Sequence, residues 1–201
     1  MKKYTPVDLS KIKTYSAKKR ETKVELGSFA KTGSKGSSFK KFYASLPDFL
    51  AASSLKQVVS AIIKANQKKR PVILGMGAHA IKVGLNPIII DMMKQGIINC
   101  IALNGAGAIH DFEVATLGRT SEDVGEGLKS GMFGMVEETL RDINQSIRIS
   151  EDQSIRGMGH QLGHRLLQMK APHRKLSILA AGAELDIPVT VHVAVGTDTV
   201  H

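Results

Sequence analysis

The sequence contains no tryptophan, a single cysteine and only 4% aromatic residues. So few aromatic rings argue against base-stacking platforms for single-stranded nucleic acid. The lone thiol of Cys100 has no second cysteine for an intramolecular disulfide, which fits a reducing compartment. No apolar run approaches the roughly 20 residues of a membrane-spanning helix, and no apolar segment of a secretory signal follows the first three residues. We therefore expect a cytoplasmic globular protein that makes no membrane contact.

The positive charge is concentrated in the N-terminal third of the chain. Residues 1–70 hold 17 Lys and Arg against 4 Asp and Glu, a net charge of +13, whereas residues 71–201 hold 11 against 14, a net charge of −3. Such a basic segment binds nucleic acid in some proteins and packs on a partner subunit in others. No nucleic-acid-binding motif accompanies the charge, so we expect nucleic acid not to be the main partner.

Residues 1–45 have the composition of an extended basic arm, without sustained periodicity. Apolar residues at helical spacing then predict a helix over residues 52–67, capped by Ser53 or Ser54. Short apolar runs predict buried strands over residues 71–76, 97–103 and 189–195. A further helix is predicted to start at Asn86-Pro87, with Asn86 as its cap. Helices are also predicted over residues 106–116, around 136–143, and over 153–169 and 176–185. Residues 118–134 are predicted to form a loop or lid.

Strands joined by helical crossovers are typical of parallel sheets, because the crossover returns the chain to the same end of the sheet. We therefore predict an α/β fold with a Rossmann-like parallel sheet flanked by helices over residues 46–201. Three strands make a small sheet for this fold. The chain stops six residues after the third predicted strand, so we expect the domain to be incomplete at its C-terminus.

The first predicted strand ends in a Gly-rich turn. Residues 75–80, Gly-Met-Gly-Ala-His-Ala, open a helix and fit the pattern G-x-G-x-x-A. Glycines in such a turn let the backbone approach a dinucleotide phosphate, which the helix N-terminus attracts. A tight strand-to-helix turn without a ligand has the same composition. Asn104 stands where dinucleotide-binding proteins carry an acidic residue after the next strand.

A second Gly-rich turn follows the second predicted strand. Residues 104–111, Asn-Gly-Ala-Gly-Ala-Ile-His-Asp, also open a helix. Because neighbouring parallel strands end at the same edge of a sheet, we expect both turns beside one ligand site. His110 and Asp111 could transfer protons or hydrogen-bond to a ligand there. Asp111 could alternatively act only as a cap at the start of the helix.

Two further polar segments are candidates. Residues 196–199, Gly-Thr-Asp-Thr, follow the third predicted strand and suit a ribose or a cationic substrate, or form an ordinary polar turn. His160 and His164 have the i, i+4 spacing of metalloprotease helices, but Gln161 stands where the general-base Glu would be. We therefore expect these histidines at a surface or interface and predict no metal site.

Three blocks of the sequence resemble the deoxyhypusine synthase family: residues 75–86, the run 102–111 followed by Leu117-Gly118, and residues 187–198. The sequence is most similar to the bacterial deoxyhypusine synthase-like branch, of which Asn-Gly-Ala-Gly-Ala-Ile-His-Asp is typical. The resemblance implies a Rossmann-like fold, bound NAD and a homotetramer with sites at subunit interfaces. In the family, NAD removes hydride from spermidine, and the aminobutyl unit passes through an imine on a lysine to an amine acceptor.

The resemblance also implies site residues, position by position. The family's first-turn Thr-Ser-Asn falls on Gly77, Ala78 and His79. The start of its second turn, which contacts NAD, falls on Asn104, Gly105 and Ala106. Asp198 matches the Asp of a family Thr-Asp pair. The resemblance thus implies that these seven residues bind the cofactor.

For the chemistry, two family Glu fall on Ile109 and His110, and a family Asp falls on Asp111. The resemblance implies His110 and Asp111 as the catalytic residues. The family's lysine nucleophile matches no residue of this sequence, and we expect it beyond residue 201.

Two functions follow from this reading. The first is an NAD-dependent transfer of an aminoalkyl group from a polyamine to an amine, and the slightly acidic body of the chain suits a cationic polyamine. The alternative is a nucleotide- or metabolite-binding protein of the same fold without transferase activity, because fold does not determine function and the family's Glu pair is replaced.

Overall fold

The computed structural model describes residues 4–148, 157–198 and 200, and the chain divides into two compact units, Met1–Ala61 and Ile62–His201. The first unit has three short 3-10 turns, at Leu9–Lys11, Ala17–Lys19 and Leu26–Ser28. They precede helix α1 (Phe39–Ser45), and helix α2 (Leu50–Gln67) begins in this unit and ends in the second. The aperiodic composition of residues 1–45 did not predict α1. The arm itself stays a prediction.

The predicted helix over residues 52–67 is confirmed as α2, but its predicted caps are wrong. The helix begins at Leu50, so Ser53 and Ser54 lie inside it. The Ser54 hydroxyl donates to the Leu50 carbonyl oxygen at 3.4 Å. That is the bond of a helix-interior serine to the carbonyl four residues earlier, and not the bond of a cap.

The second unit alternates strands and helices. Its elements are β1 (Ile73–Met76), α3 (His79–Lys82), α4 (Asn86–Lys94), β2 (Cys100–Asn104), α5 (Gly105–Leu117), α6 (Val124–Ser130), α7 (Glu137–Arg148), α8 (Met158–Gln168), a 3-10 turn at Arg174–Leu176, α9 (Ile178–Glu184) and β3 (Val189–His192). The loop predicted over 118–134 therefore contains a helix, and Asp123 caps it. Residues 153–156, the start of a predicted helix, lie outside the described residues.

The three strands form one parallel sheet in the order β1-β2-β3. Ile73 pairs with Cys100 at one side of β2, and Ile101 pairs with Val189 at the other. The sheet is flanked by helices, as in Rossmann-like folds, which confirms the predicted α/β class. Parallel pairing brings the ends of β2 and β3 to the same edge, where α5 and residues 193–198 begin.

Only one face of the sheet lies in the core of the described residues. Ile101 and Leu103 are at most 1% exposed on that face. On the opposite face Ile73 is 64% exposed, and Thr190 and His192 are exposed too. The prediction of strands buried throughout was wrong for this face, because a run of four or five apolar residues has no period that separates one buried face from two.

Two glycines let α8 pack closely on its neighbours. A Cβ on Gly159 would collide with the carbonyl oxygen of Val189 in β3. A Cβ on Gly163 would lie 2.9 Å from the Cβ of Ala183 in α9. A side chain at either position would force the backbones apart, because protein interiors have no spare volume.

Helix α4 starts differently from the prediction. Asn86 is its first residue, with Leu85 at the cap position and no side-chain cap. The Asn86 side chain is buried instead, and its Nδ2 donates to Asp111 Oδ1 at 2.9 Å and to the Leu176 carbonyl oxygen at 2.8 Å. Asn86 therefore ties α4 to α5 and to the segment before α9.

Within the described ranges, no helix has both the length and the apolar character that crossing a bilayer requires.

Candidate ligand site

A cavity of about 780 Å³ lies beside α5 in the second unit. Its walls come from α5, from residues 119–124, from residues 133–139, from Lys82 and from the segment after β3, residues 196–198 and 200. Its volume is within the range of about 300–1,000 Å³ that small-molecule sites occupy. Because α5 follows β2 directly and residues 196–198 follow β3, the cavity lies at the carboxyl ends of the strands, where α/β proteins bind ligands.

Three polar side chains are linked on the wall that α5 forms. His110 and Glu113 are three residues apart and therefore lie on the same side of the helix. His110 Nδ1 is 2.6 Å from the hydroxyl oxygen of Thr120. The Thr120 hydroxyl in turn donates to Glu113 Oε2, and His110 Nδ1 lies 3.6 Å from the same oxygen. The side chains of His110 and Glu113 are only 17% and 12% exposed.

The second oxygen of Glu113 is also engaged. The hydroxyl of Thr139, a buried residue of α7, donates to Glu113 Oε1 at 3.2 Å. Burial alone would raise the pKa of Glu113, but the nearby His110 ring and the hydrogen bonds from Thr120 and Thr139 outweigh that effect. The pKa of Glu113 is therefore below its ordinary value, and the group is a carboxylate at neutral pH.

The cavity carries charges of both signs. Lys82 and Arg119 contribute two positive charges, and Glu113, Glu122 and Asp198 contribute three negative charges. Glu122 Oε1 accepts from the Gly134 amide at 2.5 Å, and Asp198 Oδ1 accepts from the Val200 amide at 3.0 Å. These five charged groups together have a net charge of −1, which favours a cation modestly.

Asp111 lies on the other side of α5, away from the cavity, and is 0% exposed. Its Oδ1 accepts from Asn86 Nδ2 and from the Ile178 amide, both at 2.9 Å. Its Oδ2 accepts from the Ser177 hydroxyl at 2.6 Å and from the Leu179 amide at 3.0 Å. Desolvation raises the pKa of Asp111 above its ordinary value, although these four hydrogen bonds oppose the shift.

These contacts give Asp111 a structural role. Its carboxylate satisfies two amides at the start of α9 that have no partner inside that helix. It is not the N-cap of α5, which was the alternative expectation from the sequence, because Asn104 holds that position. A catalytic role for Asp111 has no support in this geometry, since the side chain does not line the cavity.

Of the nine predicted site residues, three line the cavity: Ala106, His110 and Asp198. Gly105 is buried at the start of α5, beside Ala106. Asn104 caps α5, and its Oδ1 accepts from the Gly107 amide at 2.8 Å.

The two Gly-rich turns lie side by side, as predicted: a Cβ on Gly77 would be 3.7 Å from Asn104 Nδ2. However, Gly77, Ala78 and His79 are not part of the cavity lining. Ala78 is buried, and Gly77 and His79 are exposed.

Sequence reasoning missed Glu113, Thr120 and Thr139 as members of the site. The spacing of Glu113 from His110 was a usable signal, because residues three apart on a helix are neighbours. Thr120 belongs to the segment that the sequence predicted as a loop or lid. Thr139 lies 26 residues after Glu113, and nothing in the local pattern of either segment indicates their contact.

The two histidines of α8 contact each other, with 3.2 Å between His164 Nε2 and His160 Nε2. In the part of the chain that the structure describes, no group of three His, Cys, Asp or Glu side chains is placed to hold a metal ion.

The chain is therefore an α/β protein with a Rossmann-like sheet, and it has a cavity of small-molecule size beside α5. No protein-family model matches the chain, and no curated protein matches it. A solved structure described as "a putative deoxyhypusine synthase from Entamoeba histolytica" is similar, with a TM-score of 0.51 and 15% sequence identity. The similarity covers 78% of this chain and 61% of the Entamoeba protein, so the chain spans less than two thirds of that protein's length. At this identity the likeness shows the fold alone.

Proposed function

We propose that this protein is an NAD-dependent transferase of the deoxyhypusine synthase-like class, which moves an aminoalkyl group from a polyamine to an amine acceptor. The observation that carries the proposal is the cavity at the carboxyl ends of β2 and β3, with His110 and three carboxylates in its lining. The fold shared with the Entamoeba protein, whose description names deoxyhypusine synthase, supports the same class.

The charge of the cavity supports an amine as the substrate. Carboxylates attract alkylammonium groups, and a site with apolar walls between them also accommodates the methylene chain of a polyamine. Glu122 and Asp198 are the two acids that we expect to contact the cation. Glu113 has both oxygens occupied by threonine hydroxyls and is less suited to that contact.

The start of α5 fits part of an NAD molecule. Gly105 has no side chain and Ala106 has only a methyl group at the N-terminus of a helix of 13 residues, where backbone amides and the helix dipole favour a phosphate. Asp198 could accept hydrogen bonds from ribose hydroxyls. When bound, NAD would supply the acceptor for a hydride from the amine-bearing carbon. Contacts of Gly77, Ala78, His79 and Asn104 with the cofactor stay part of the proposal, without support from the cavity lining.

We also propose that the protein works as a homotetramer in the cytoplasm, as the family resemblance implies. The analytical-ultracentrifugation mass of the purified protein tests the assembly. A monomer at the concentrations used for binding would contradict it.

Titration calorimetry of the purified protein with NAD, with and without spermidine, tests the function. We expect NAD to bind and Asp198→Asn to weaken binding at least about tenfold, roughly 1.4 kcal/mol. Asp186→Asn is the matched control, because Asp186 is an exposed aspartate just before β3 and outside the cavity. Its φ of 52° is one that Asn adopts readily.

Formation of NADH after addition of spermidine, followed by absorbance, would support the hydride step. Absence of NAD binding by the wild-type protein would overturn the proposal. Equal weakening by Asp198→Asn and Asp186→Asn would remove Asp198 from the site.

The second candidate is a metabolite-binding protein of the same fold without transferase activity. It is favoured by the position of the first Gly-rich turn, since Gly77, Ala78 and His79 lie outside the cavity lining. Spermidine binding in the same calorimetry without NAD binding would support this candidate.

A further inference from the structure

The hydrogen bonds around Glu113 have only one consistent direction. An ionised carboxylate has no hydrogen to donate and can only accept. The pKa of Glu113 is lowered, so this description holds at neutral pH. Thr139 therefore donates its hydroxyl hydrogen to Oε1, and Thr120 donates its hydroxyl hydrogen to Oε2.

The direction at Glu113 decides the direction at His110. A threonine hydroxyl has one hydrogen and two lone pairs. Since Thr120 gives its hydrogen to Glu113, it can only accept from His110 Nδ1, which is 2.6 Å away. A neutral imidazole has one N–H, so that hydrogen has to be on Nδ1 and Nε2 has to carry the lone pair.

We propose that Glu113 and Thr120 are positioning residues that hold neutral His110 as its Nδ1–H tautomer and so make Nε2 a proton acceptor for a ligand in the cavity. His110 lines the cavity, and no described residue hydrogen-bonds to its Nε2. Carboxylates orient histidines in the same way in catalytic triads, where the group that holds one ring nitrogen determines the chemistry of the other. Here a hydroxyl stands between the carboxylate and the ring.

The inference rests on the proposed function only for the reaction that would use this acceptor. Oxidation of an amine to an imine breaks one C–H and one N–H bond. NAD, when bound, would supply the acceptor for the hydride, and the proton from nitrogen needs a base. Nε2 of His110 would take that proton, and the positive charge formed on the ring would be stabilised through Thr120 by the carboxylate of Glu113.

The network could instead serve only to tie residues 119–120 to α5. A tie of that kind would also hold with the other ring tautomer, if the Thr120 hydroxyl gave up its bond to Glu113 and donated to an unprotonated Nδ1. The tautomer of His110 is therefore the readout that separates positioning from simple attachment.

Nitrogen-15 NMR of the histidine rings measures the tautomer directly, because protonated and unprotonated ring nitrogens have widely separated shifts. The spectrum of the ligand-free protein is recorded at a pH where the ring of His110 is neutral, and the signal that disappears in His110→Gln assigns it. We expect Nδ1 protonated and Nε2 unprotonated. A wild-type ring in the Nε2–H form overturns the inference, whatever the variants do.

A pair of variants at Thr120 tests the cause. Thr120→Val keeps the shape of the side chain and removes the hydroxyl, so we expect the His110 ring to change to predominantly Nε2–H, the form that neutral histidine favours in water. Thr120→Ser retains the hydroxyl and should retain the Nδ1–H form. An Nδ1–H ring in Thr120→Val would show that Thr120 does not hold the tautomer, and the inference would fail.

Thr139→Val is the matched control on the other oxygen of Glu113. It removes one hydrogen bond to the carboxylate but leaves the Thr120 bridge, so the His110 tautomer should not change. The NMR readout needs neither NAD nor an amine. Failure of NAD binding with an Nδ1–H ring would therefore contradict the proposed function alone, and normal NAD binding with an Nε2–H ring would contradict this inference alone.

Discussion

The two sides of helix α5 each hold one acid, and the two acids have opposite surroundings. Asp111 faces the core and binds four donors on α4 and at the start of α9. Glu113, two residues later, faces the cavity and binds the hydroxyls of Thr120 and Thr139. Residues two apart on a helix point to different sides. Asp111 and Glu113 therefore have different surroundings although they are close in the sequence.

The pKa shifts of the two acids differ in sign for a physical reason. Desolvation dominates at Asp111 and raises its pKa, whereas hydrogen bonds and His110 dominate at Glu113 and lower its pKa. Burial thus disfavours the charged form of Asp111, an effect that its four hydrogen bonds only partly offset, whereas the surroundings of Glu113 favour its charged form. We infer that Asp111 mainly stabilises the fold and that Glu113 mainly positions the side chains of the candidate site.

Removal of the core acid should have the largest effect on stability. Asp111→Ala leaves the amides of Ile178 and Leu179 without their acceptor and removes one of the two acceptors of Asn86 Nδ2. We expect a loss of about 3 kcal/mol or more in the free energy of unfolding. Urea unfolding followed by circular dichroism measures it. If the alanine variant does not fold, Asp111→Asn, which turns an amide group towards donors, should still cost about 2 kcal/mol.

Asp91→Ala on α4 is the control for this prediction. Asp91 is exposed, and its carboxylate accepts only a surface hydrogen bond from Gln95 at 2.6 Å. Its loss should cost about 0.5 kcal/mol or less. Equal losses for Asp111→Ala and Asp91→Ala would contradict the structural role of Asp111.

Ser177 provides a second test of the role of Asp111, because its hydroxyl both donates to Asp111 and caps α9. Its hydroxyl donates to Asp111 Oδ2 at 2.6 Å and accepts from the Ala180 amide at 3.0 Å. Ser177→Ala removes both bonds from a fully buried position. We expect a loss of about 1–2 kcal/mol in urea unfolding. Ser130→Ala, an exposed serine of α6, should change stability by less than about 0.5 kcal/mol. The prediction fails if the two serines are equivalent.

Most of the sheet could be predicted from the sequence. Three short apolar runs separated by helical patterns are enough for parallel strands, because a crossover of that length returns the chain in the same direction. The exposed face of the sheet could not be predicted, since Ile73 on that face is as apolar as the buried Ile101. Helix α1 was missed because Phe39, Phe42 and Tyr43 have helical spacing for only one turn, too short a stretch to establish a period.

The site was harder to predict than the fold. His110 and Asp111 are adjacent in the sequence, and only the rotation of α5 decides that the first lines the cavity while the second is enclosed. Polarity alone indicated both as candidates. The partners of Glu113 come from two separate segments of the chain, and long-range contacts of this kind are set by tertiary packing and leave no local pattern.

The smallest predicted effect concerns the acid on the cavity side, and it depends on pH. Because the pKa of Glu113 is lowered in the folded protein, its charge stabilises the fold at pH values above 4.5, the ordinary pKa of a glutamate. This contribution is lost as the pH falls through the lower pKa of the folded state. Glu113→Gln can still accept from Thr120 through its oxygen but has no charge. We therefore expect the variant to be less stable than the wild type by about 0.5–1 kcal/mol near neutral pH, with the difference shrinking as the pH falls below about 4.

Urea unfolding at a series of pH values from about 3 to about 7 measures this difference. Glu138→Gln provides the reference, because Glu138 is an exposed residue of α7 and its replacement should have little effect on the free energy of unfolding. A difference between wild type and Glu113→Gln that grows on acidification would mean that burial, as at Asp111, also dominates at Glu113. The two sides of α5 would then hold their acids in the same way, and the contrast between a structural and a site-organising carboxylate would be lost.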